Sequence, residues 1–137
     1  MNITLEADPD DAVLKEITTG IRGFNLAQVP DVQFHKIVSV IRDDDGRIHG
    51  GVVGRLAGDS VYMEVVWNDD DVRGTGLGRA MMLTAEAEAK RLGAREAWLY
   101  TMSFQAKPFY EKLGYSQFAE LDWQDGQYKR HFMRKPL

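Results

Sequence analysis

Residues 71–79 read Asp-Val-Arg-Gly-Thr-Gly-Leu-Gly-Arg and separate a run of strand-forming residues, 61–67, from a run with helical periodicity, 77–92. Three glycines within five positions let the backbone approach a bulky ligand, and the first turn of a helix carries unpaired N–H groups with a partial positive charge. Arg73 and Arg79 flank the turn and can add charge-assisted hydrogen bonds. The stretch therefore predicts a loop that binds pyrophosphate or a similar anion at the start of a helix.

Two other phosphate-binding loops do not fit this stretch. A G-x-G-x-x-G fingerprint beginning at Gly74 or Gly76 would need glycine at Arg79 or Met81. A P-loop would need a Gly-Lys pair, which the chain does not contain. A glycine-rich turn without a ligand is the remaining alternative.

The segments on either side of the loop predict a mixed sheet. Strands Val61–Trp67 and Glu96–Thr101 are joined by a helix, Leu77–Leu92, so they should be parallel with a right-handed crossover. Upstream, strands Phe34–Ile41 and Arg47–Ala57 flank an Asp-Gly turn, which is typical of an antiparallel hairpin. We expect these two strands and Val61–Trp67 to form a three-stranded meander.

The rest of the chain adds elements at both ends of this unit. The pattern predicts a strand (Ile3–Ala7), a helix from Asp11 to about Gly20, an irregular stretch (Ile21–Val32), a short helix (Pro108–Leu113) and a final hairpin (Tyr115–Leu121 with Tyr128–Arg134). The predicted fold class is α/β (mixed α+β). It has a mixed, largely antiparallel sheet of about six to seven strands, a central parallel pair and flanking helices, in a single domain over residues 1–137.

Composition narrows the function classes. The 137 residues include no cysteine, which excludes disulfides and a cysteine nucleophile, and the net charge of −4 argues against a nucleic-acid partner. No apolar stretch approaches the length of a membrane helix, and the first residues lack the pattern of a signal peptide. We therefore expect a cytoplasmic protein with no nucleic-acid or membrane partner.

The histidines and acidic runs do not predict a metal site. His35, His49 and His131 are far apart and show no ligand spacing. The acidic runs 43–45 and 69–71 are typical of solvated turns. No metal is expected.

Two motifs resemble the GNAT superfamily of N-acetyltransferases. Residues 73–78 fit its acetyl-CoA signature, [RQ]-x-x-G-x-[GA], and residues 103–115, which include Phe109-Tyr110, resemble its second landmark. The two motifs lie on the expected elements, and the resemblance covers nearly the whole chain. Many members carry asparagine where this chain has Ser103, whose hydroxyl offers fewer hydrogen-bonding groups.

The resemblance implies that the chain binds acetyl-CoA as a cosubstrate. The parallel strands of the family splay apart and hold the pantetheine arm, and the backbone N–H near Val66 would polarise the thioester carbonyl. The implied cofactor-binding residues are Val66, Trp67, Asn68, Arg73, Gly74, Thr75, Gly76, Leu77, Gly78, Arg79, Ser103 and Phe109.

Tyr110 occupies the position of the family's general acid. A tyrosine is protonated at neutral pH and can give its proton to the departing thiolate. The alternative is that Tyr110 only packs beside Phe109 against the sheet.

Glu64 is the candidate general base. Strand alternation places it on one face with Tyr62 and Val66, within an apolar run where glutamate is unusual. The alternatives are an exposed glutamate paired with a lysine of a neighbouring strand, and deprotonation of the substrate through water.

The expected activity is transfer of an acetyl group from acetyl-CoA to a primary amine of a small molecule or peptide. The amine would attack directly in a ternary complex, and its pocket would involve Gln105 and residues 20–32. The alternatives are a different acceptor group, such as a hydroxyl, or a non-catalytic acyl-CoA sensor on the same fold. We also expect that the protein can form a homodimer.

Overall fold

The computed structural model describes residues 1–137, which form two compact units, residues 1–32 and residues 33–137. The elements in chain order are α1 (Asp11–Gln28), β1 (Phe34–Arg42), β2 (Ile48–Ala57), β3 (Ser60–Asn68), a 3-10 turn (Asp70–Val72), α2 (Leu77–Arg91), β4 (Glu96–Met102), α3 (Lys107–Lys112), β5 (Ser116–Trp123) and β6 (Tyr128–Pro136). No helix is both long and apolar enough to cross a membrane.

The six strands form one sheet in the order β1-β2-β3-β4-β6-β5. β3 and β4 are parallel, because α2 carries the chain back across the sheet, and every other neighbouring pair is antiparallel. The mixed fold predicted from the sequence, with its central parallel pair, is confirmed.

The parallel pair is short. β3 and β4 are paired only at Ser60–Glu96, Val61–Ala97 and Tyr62–Trp98, although both strands continue beyond these residues. The rest of β3, from Met63 to Asn68, has no partner on its β4 side. The sheet therefore opens at its centre.

A β-bulge at Glu64 changes which side chains share a face. Val65 pairs with Val53 and Met63 pairs with Gly54, so Glu64 is an extra residue on β3. Strand alternation predicted Val66 on the face of Tyr62, and this was wrong. After the bulge Val66 packs against the core that contains Met63, and Trp67 is half-exposed on the opposite face.

The core lies between α2, α3 and one face of the sheet. α2 presents Met81, Met82, Ala85 and Ala89, which are at most 3% exposed. The sheet presents Val52, Leu56, Val61, Leu99 and Met133, and α3 with the residues after it adds Tyr110, Leu113 and Tyr115. This packing fixes the start of α2 and the end of β3 relative to each other.

In the unit of residues 1–32, helix α1 extends further than predicted. Asp10 caps it by accepting a hydrogen bond from the amide of Val13 (2.9 Å). The helix continues through the stretch predicted to be irregular, because the apolar spacing does not stop at Gly20 but continues through Ile21 and Phe24. Glycine costs a helix only about 1 kcal/mol relative to alanine, so Gly20 does not end it.

The predicted strand at residues 3–7 is absent. These residues have no regular secondary structure, and Ile3 and Leu5 are fully exposed. Alternation alone does not make a strand where no neighbouring strand supplies hydrogen bonds.

Candidate active site

A cleft of about 1060 Å³ opens where β3 and β4 part. One end of it, the loop end, consists of residues 73–79 at the start of α2. α3 borders the cleft through Phe109, Tyr110 and Lys112. The predicted residues that line it are Glu64, Val66, Trp67, Asn68, Arg73, Gly74, Gly76, Gly78, Arg79, Phe109 and Tyr110.

The backbone of the loop end requires glycine. Gly74 and Gly76 have φ of 76° and 86°, in the left-handed region that disfavours other residues. No atom lies within 4 Å of where a side chain would begin at either position, so the space in front of the loop is open. The amides of Gly78 and Arg79, in the first turn of α2, lack partners within the helix and are available to an anion.

Thr75 and Leu77 stabilise the loop without lining the cleft. The Thr75 hydroxyl donates to the carbonyl of Val72 (2.7 Å) and accepts from the amide of Leu77 (3.3 Å). Both residues were predicted to bind the cofactor, and the structure places both in the loop but outside the wall of the cleft.

Three cations lie at the loop end. Arg73 forms an ion pair with Asp70 (2.6 Å), and Arg79 donates through Nη1 to the carbonyl of Lys112 (3.4 Å). Lys112 also lines the cleft, although it was not among the predicted site residues. Lys112 lies two residues after Tyr110 within the second family motif, residues 103–115, and this position could have identified it as a site residue.

Asn68 connects the end of β3 to the start of α2. A Cβ at Gly50 would lie 2.4 Å from its Oδ1, and a Cβ at Gly78 would lie 2.6 Å from its Nδ2. Both positions therefore need glycine so that the Asn68 amide fits between them. Oδ1 of Asn68 is buried without a hydrogen-bond partner. No sequence pattern indicated the role of Gly50.

Tyr110 lies at the cleft wall with a nearly buried ring. The ring makes edge-to-face contacts with Phe109 (centroids 5.2 Å apart) and Tyr115 (5.9 Å). Burial raises the pKa of the Tyr110 phenol to about 12. Tyr110 is therefore protonated across the physiological range and can serve as a proton donor.

A buried polar network lies beside Tyr110, whose ring contacts one of its members, Tyr115. The Tyr115 hydroxyl donates to Oε1 of Glu86 (2.9 Å), and Nζ of Lys135 bonds to Oε2 (2.5 Å). Burial, and next the charge of Glu86, raises the pKa of the Tyr115 phenol far above its usual value. The network joins α2, β6 and the segment between α3 and β5, and it was not predicted from the sequence.

Glu64 lies at the bulge and has a partner. Nε of Arg55, on β2, donates to Oε2 of Glu64 (2.6 Å). The expected alternative was an ion pair with a lysine of a neighbouring strand, and the observed partner is an arginine. Glu64 nevertheless lines the cleft, and its Oε1 has no hydrogen-bond partner.

Ser103 and Gln105 shape the turn between β4 and α3. The Ser103 hydroxyl accepts from the amide of Lys129 (3.1 Å), and Ser103 does not line the cleft. Gln105 lines the cleft, and its Oε1 accepts from the amide of Met102 (2.7 Å).

Both acidic runs were expected to be solvated turns, but each of them contacts His49. Nε2 of His49 lies 2.9 Å from Oδ2 of Asp43, and Nδ1 lies 2.6 Å from Oδ2 of Asp69. Asp71 is 4.0 Å from Nδ1. The hydrogen bond to Asp43, and next that to Asp69, raises the pKa of His49. His49 thus ties the β1–β2 turn to the segment that precedes the loop end.

Comparison with known proteins agrees with this site, in which the parallel strands β3 and β4 part beside a glycine loop. Residues 34–117 match the acetyltransferase (GNAT) domain. The chain belongs to this family. It is an acetyltransferase of the GNAT type.

Individual relatives agree with this assignment. Acetyltransferase Atu2258 of Agrobacterium fabrum is 29% identical over 121 residues, 88% of each chain. Blasticidin-S acetyltransferase of Streptomyces morookaense is 34% identical over 77 residues, 56% of this chain and 57% of the relative. The crystal structure of an acetyltransferase from Bacillus cereus superimposes with a TM-score of 0.83 at 26% identity, covering 98% of both chains.

Proposed function

We propose that this acetyltransferase uses acetyl-CoA as donor and a primary amine as acceptor. The observation that carries the proposal is the continuity of one cleft from the glycine loop, along the unpaired edge of β3, to Tyr110. A pyrophosphate at one end, an extended amide-bearing arm along the strand edge and a thioester at Tyr110 match these three parts in order.

The loop end would hold the pyrophosphate. The amides of Gly78 and Arg79 and the cations Arg73, Arg79 and Lys112 would supply hydrogen bonds and positive charge. The pantetheine arm would pair with the free edge of β3 near Val66, as an added strand pairs with a sheet edge.

The residues near the bulge would carry the transfer. The amine nitrogen attacks the thioester carbonyl, whose oxygen accepts a hydrogen bond from the amide of Val66. The C–S bond then breaks, and Tyr110 gives its proton to the sulfur. Glu64 takes the proton that the amine loses, directly or through a water molecule. The products are the N-acetylated amine and free CoA, and proton exchange with solvent then deprotonates Glu64 and reprotonates Tyr110.

A small-molecule acceptor is supported by a relative whose name refers to the antibiotic blasticidin-S. The absence of cysteine supports direct attack over an acyl-enzyme with a thiol nucleophile.

The test is release of free CoA from acetyl-CoA across a panel of amines, including amino acids, peptide N-termini, polyamines and aminoglycosides. We expect release with at least one amine and an N-acetyl product by mass spectrometry. Thermal stabilisation by acetyl-CoA with no release for any amine would contradict the proposal and favour the acyl-CoA sensor.

A further inference from the structure

Two guanidinium groups and one carboxylate surround Tyr62, beside the part of the cleft that Glu64 lines. We name Tyr62, Glu64, Tyr100 and Arg130 the bulge end; Glu64 and Tyr100 line the cleft itself. Tyr62 lies within electrostatic range of Glu64, Tyr100 and Arg130, and also of Arg55. One carboxylate therefore stands among two guanidinium groups, in a protein whose net charge is −4.

The strand register explains why these side chains meet. Tyr62 pairs with Arg55 on one side and with Trp98 on the other, and its ring stacks on Trp98 with centroids 4.2 Å apart. Tyr100 lies two residues after Trp98 and so shares its face. The guanidinium of Arg130, on β6, lies 4.7 Å from the centre of the Tyr100 ring.

The two guanidinium groups differ in their partners. Arg55 is neutralised by Glu64 at 2.6 Å. Arg130 is half-buried, forms no ion pair, and its Nε is buried without a hydrogen-bond partner. By contrast Lys135, another partly buried cation, is paired with Glu86. A partly buried cation without a counter-charge is costly, and an anionic ligand would remove that cost.

We propose that the acceptor is a primary amine that also carries a carboxylate, and that Arg130 binds this carboxylate while Glu64 faces the amine. The proposal rests on the proposed acetyl transfer and specifies its substrate class as amino acids. The planar guanidinium matches a carboxylate with two parallel hydrogen bonds, and the Tyr100 ring holds it in a fixed plane. A polycationic acceptor would instead be repelled by the positive charge of Arg130, which no ion pair neutralises.

The experiment compares each amino acid with its own carboxamide. The panel holds the common α-amino acids and a series of unbranched amino acids of increasing length, each beside its carboxamide, with polyamines and aminoglycosides as further acceptors. kcat/KM is measured by free CoA release for the unmodified protein, for Arg130→Gln and Arg130→Lys, and for Arg134→Gln. Arg134 is the matched control, because it lies on the same strand and face but over Phe118 (5.8 Å), which does not line the cleft, whereas Arg130 lies over Tyr100, which does.

The unmodified protein should prefer an amino acid over its carboxamide by about 10- to 100-fold in kcat/KM, the usual range for a hydrogen-bonded charge. Arg130→Gln should bring this ratio close to unity, chiefly by lowering kcat/KM for the amino acid. Arg130→Lys should keep part of the preference, and Arg134→Gln should keep all of it.

Other outcomes overturn the inference in distinguishable ways. Equal use of acid and carboxamide by the unmodified protein overturns it, whether or not the variants fold. So does an unchanged ratio in Arg130→Gln. Acetylation of polyamines or aminoglycosides but of no amino acid overturns it and leaves the proposed function standing. No CoA release with any amine overturns both.

Discussion

The loop end of the cleft is shaped by glycine backbone with three cations around it, whereas the bulge end is made of side chains from three strands. At the loop end Gly74 and Gly76 turn the chain through positive φ, and a side chain begun at either position would meet open space. At the bulge end β3, β4 and β6 contribute Glu64, Tyr100 and Arg130. The first arrangement suits a ligand that every member of a family shares, and the second suits a ligand that differs between members.

The difference also concerns tolerance to substitution. A left-handed backbone that lies close to an anion leaves almost no room for a side chain. Substitutions of the loop glycines should therefore abolish binding of acetyl-CoA. Side chains at the bulge end can be exchanged one at a time without disturbing the backbone. Substitutions at the two ends should therefore separate donor binding from acceptor chemistry.

The largest effect is expected at Gly76. Gly76→Asp places a negative side chain in the open space before the loop. We expect acetyl-CoA to raise the Tm of the unmodified protein, by an amount that corresponds to about 2.7 kcal/mol at a concentration of 100 Kd, and we expect the variant to lose this rise. Gly93→Asp is the matched control, since Gly93 has φ of 106° at the other end of α2 and also has open space. It should lower Tm yet keep the acetyl-CoA shift. A full shift in folded Gly76→Asp would show that the loop does not hold the pyrophosphate.

Tyr110→Phe should give the next largest effect. Removing one hydroxyl leaves the edge-to-face contacts in place, so kcat should fall by about 10²- to 10⁴-fold while the Kd for acetyl-CoA stays unchanged. Because burial raises the pKa of Tyr110 to about 12, the activity that it supports should not decline through deprotonation up to about pH 10. Stopped-flow turnover and calorimetric binding measure the two quantities.

Tyr115→Phe is the control for Tyr110. It removes the hydrogen bond to Glu86 and should lower stability, by about 1–3 kcal/mol in urea unfolding, with a smaller loss of kcat. If both variants lose kcat equally, Tyr110 acts through packing and not as an acid.

Glu64→Gln tests the bulge end. If the carboxylate accepts the amine proton, kcat/KM should fall by about 10²-fold at pH 6–7 and recover partly towards pH 9, where more amine is already deprotonated. Arg55→Gln removes the partner but leaves the carboxylate, so its pH profile should stay close to that of the unmodified protein. A Glu64→Gln profile parallel to the unmodified one would assign deprotonation to water.

The smallest effect is expected at His49, behind the loop end. The pKa of His49 is raised in the folded protein, so its contribution to stability is complete below about pH 6.5 and is lost as pH rises through the folded value. The pKa of Asp43 is lowered, chiefly by the hydrogen bond to His49, so its contribution is lost only in acid. His49→Gln should therefore lower Tm, by no more than about 3 °C, at pH 5–6 and not at pH 9. His35→Gln is the control, and equal effects of both at every pH would contradict the role of the His49 cluster.

The loop end could be predicted because its determinants are local. Glycines, flanking arginines and a helix start lie within nine consecutive residues, and each acts through its own backbone or charge. The parallel pair followed from the same stretch, because a single intervening helix returns the chain to the same edge.

The bulge end could be predicted only in part, because it depends on register. Nothing near Glu64 in the sequence indicates that it is an extra residue between the partners of Val53 and Gly54. Alternation therefore placed Val66 on the wrong face. Arg130 and Arg55 reach the site from 66 residues downstream and nine residues upstream of Glu64, so no local pattern indicated either of them.

The most direct test of the account is a crystal structure of the protein with CoA and the acetylated amine. We predict the pyrophosphate on the amides after Gly76, the pantetheine arm along the free edge of β3, and the sulfur within about 3.5 Å of the Tyr110 hydroxyl. A pyrophosphate bound away from residues 73–79, or a sulfur out of reach of Tyr110, would contradict the account, in which the loop end binds the donor and the bulge end binds the acceptor.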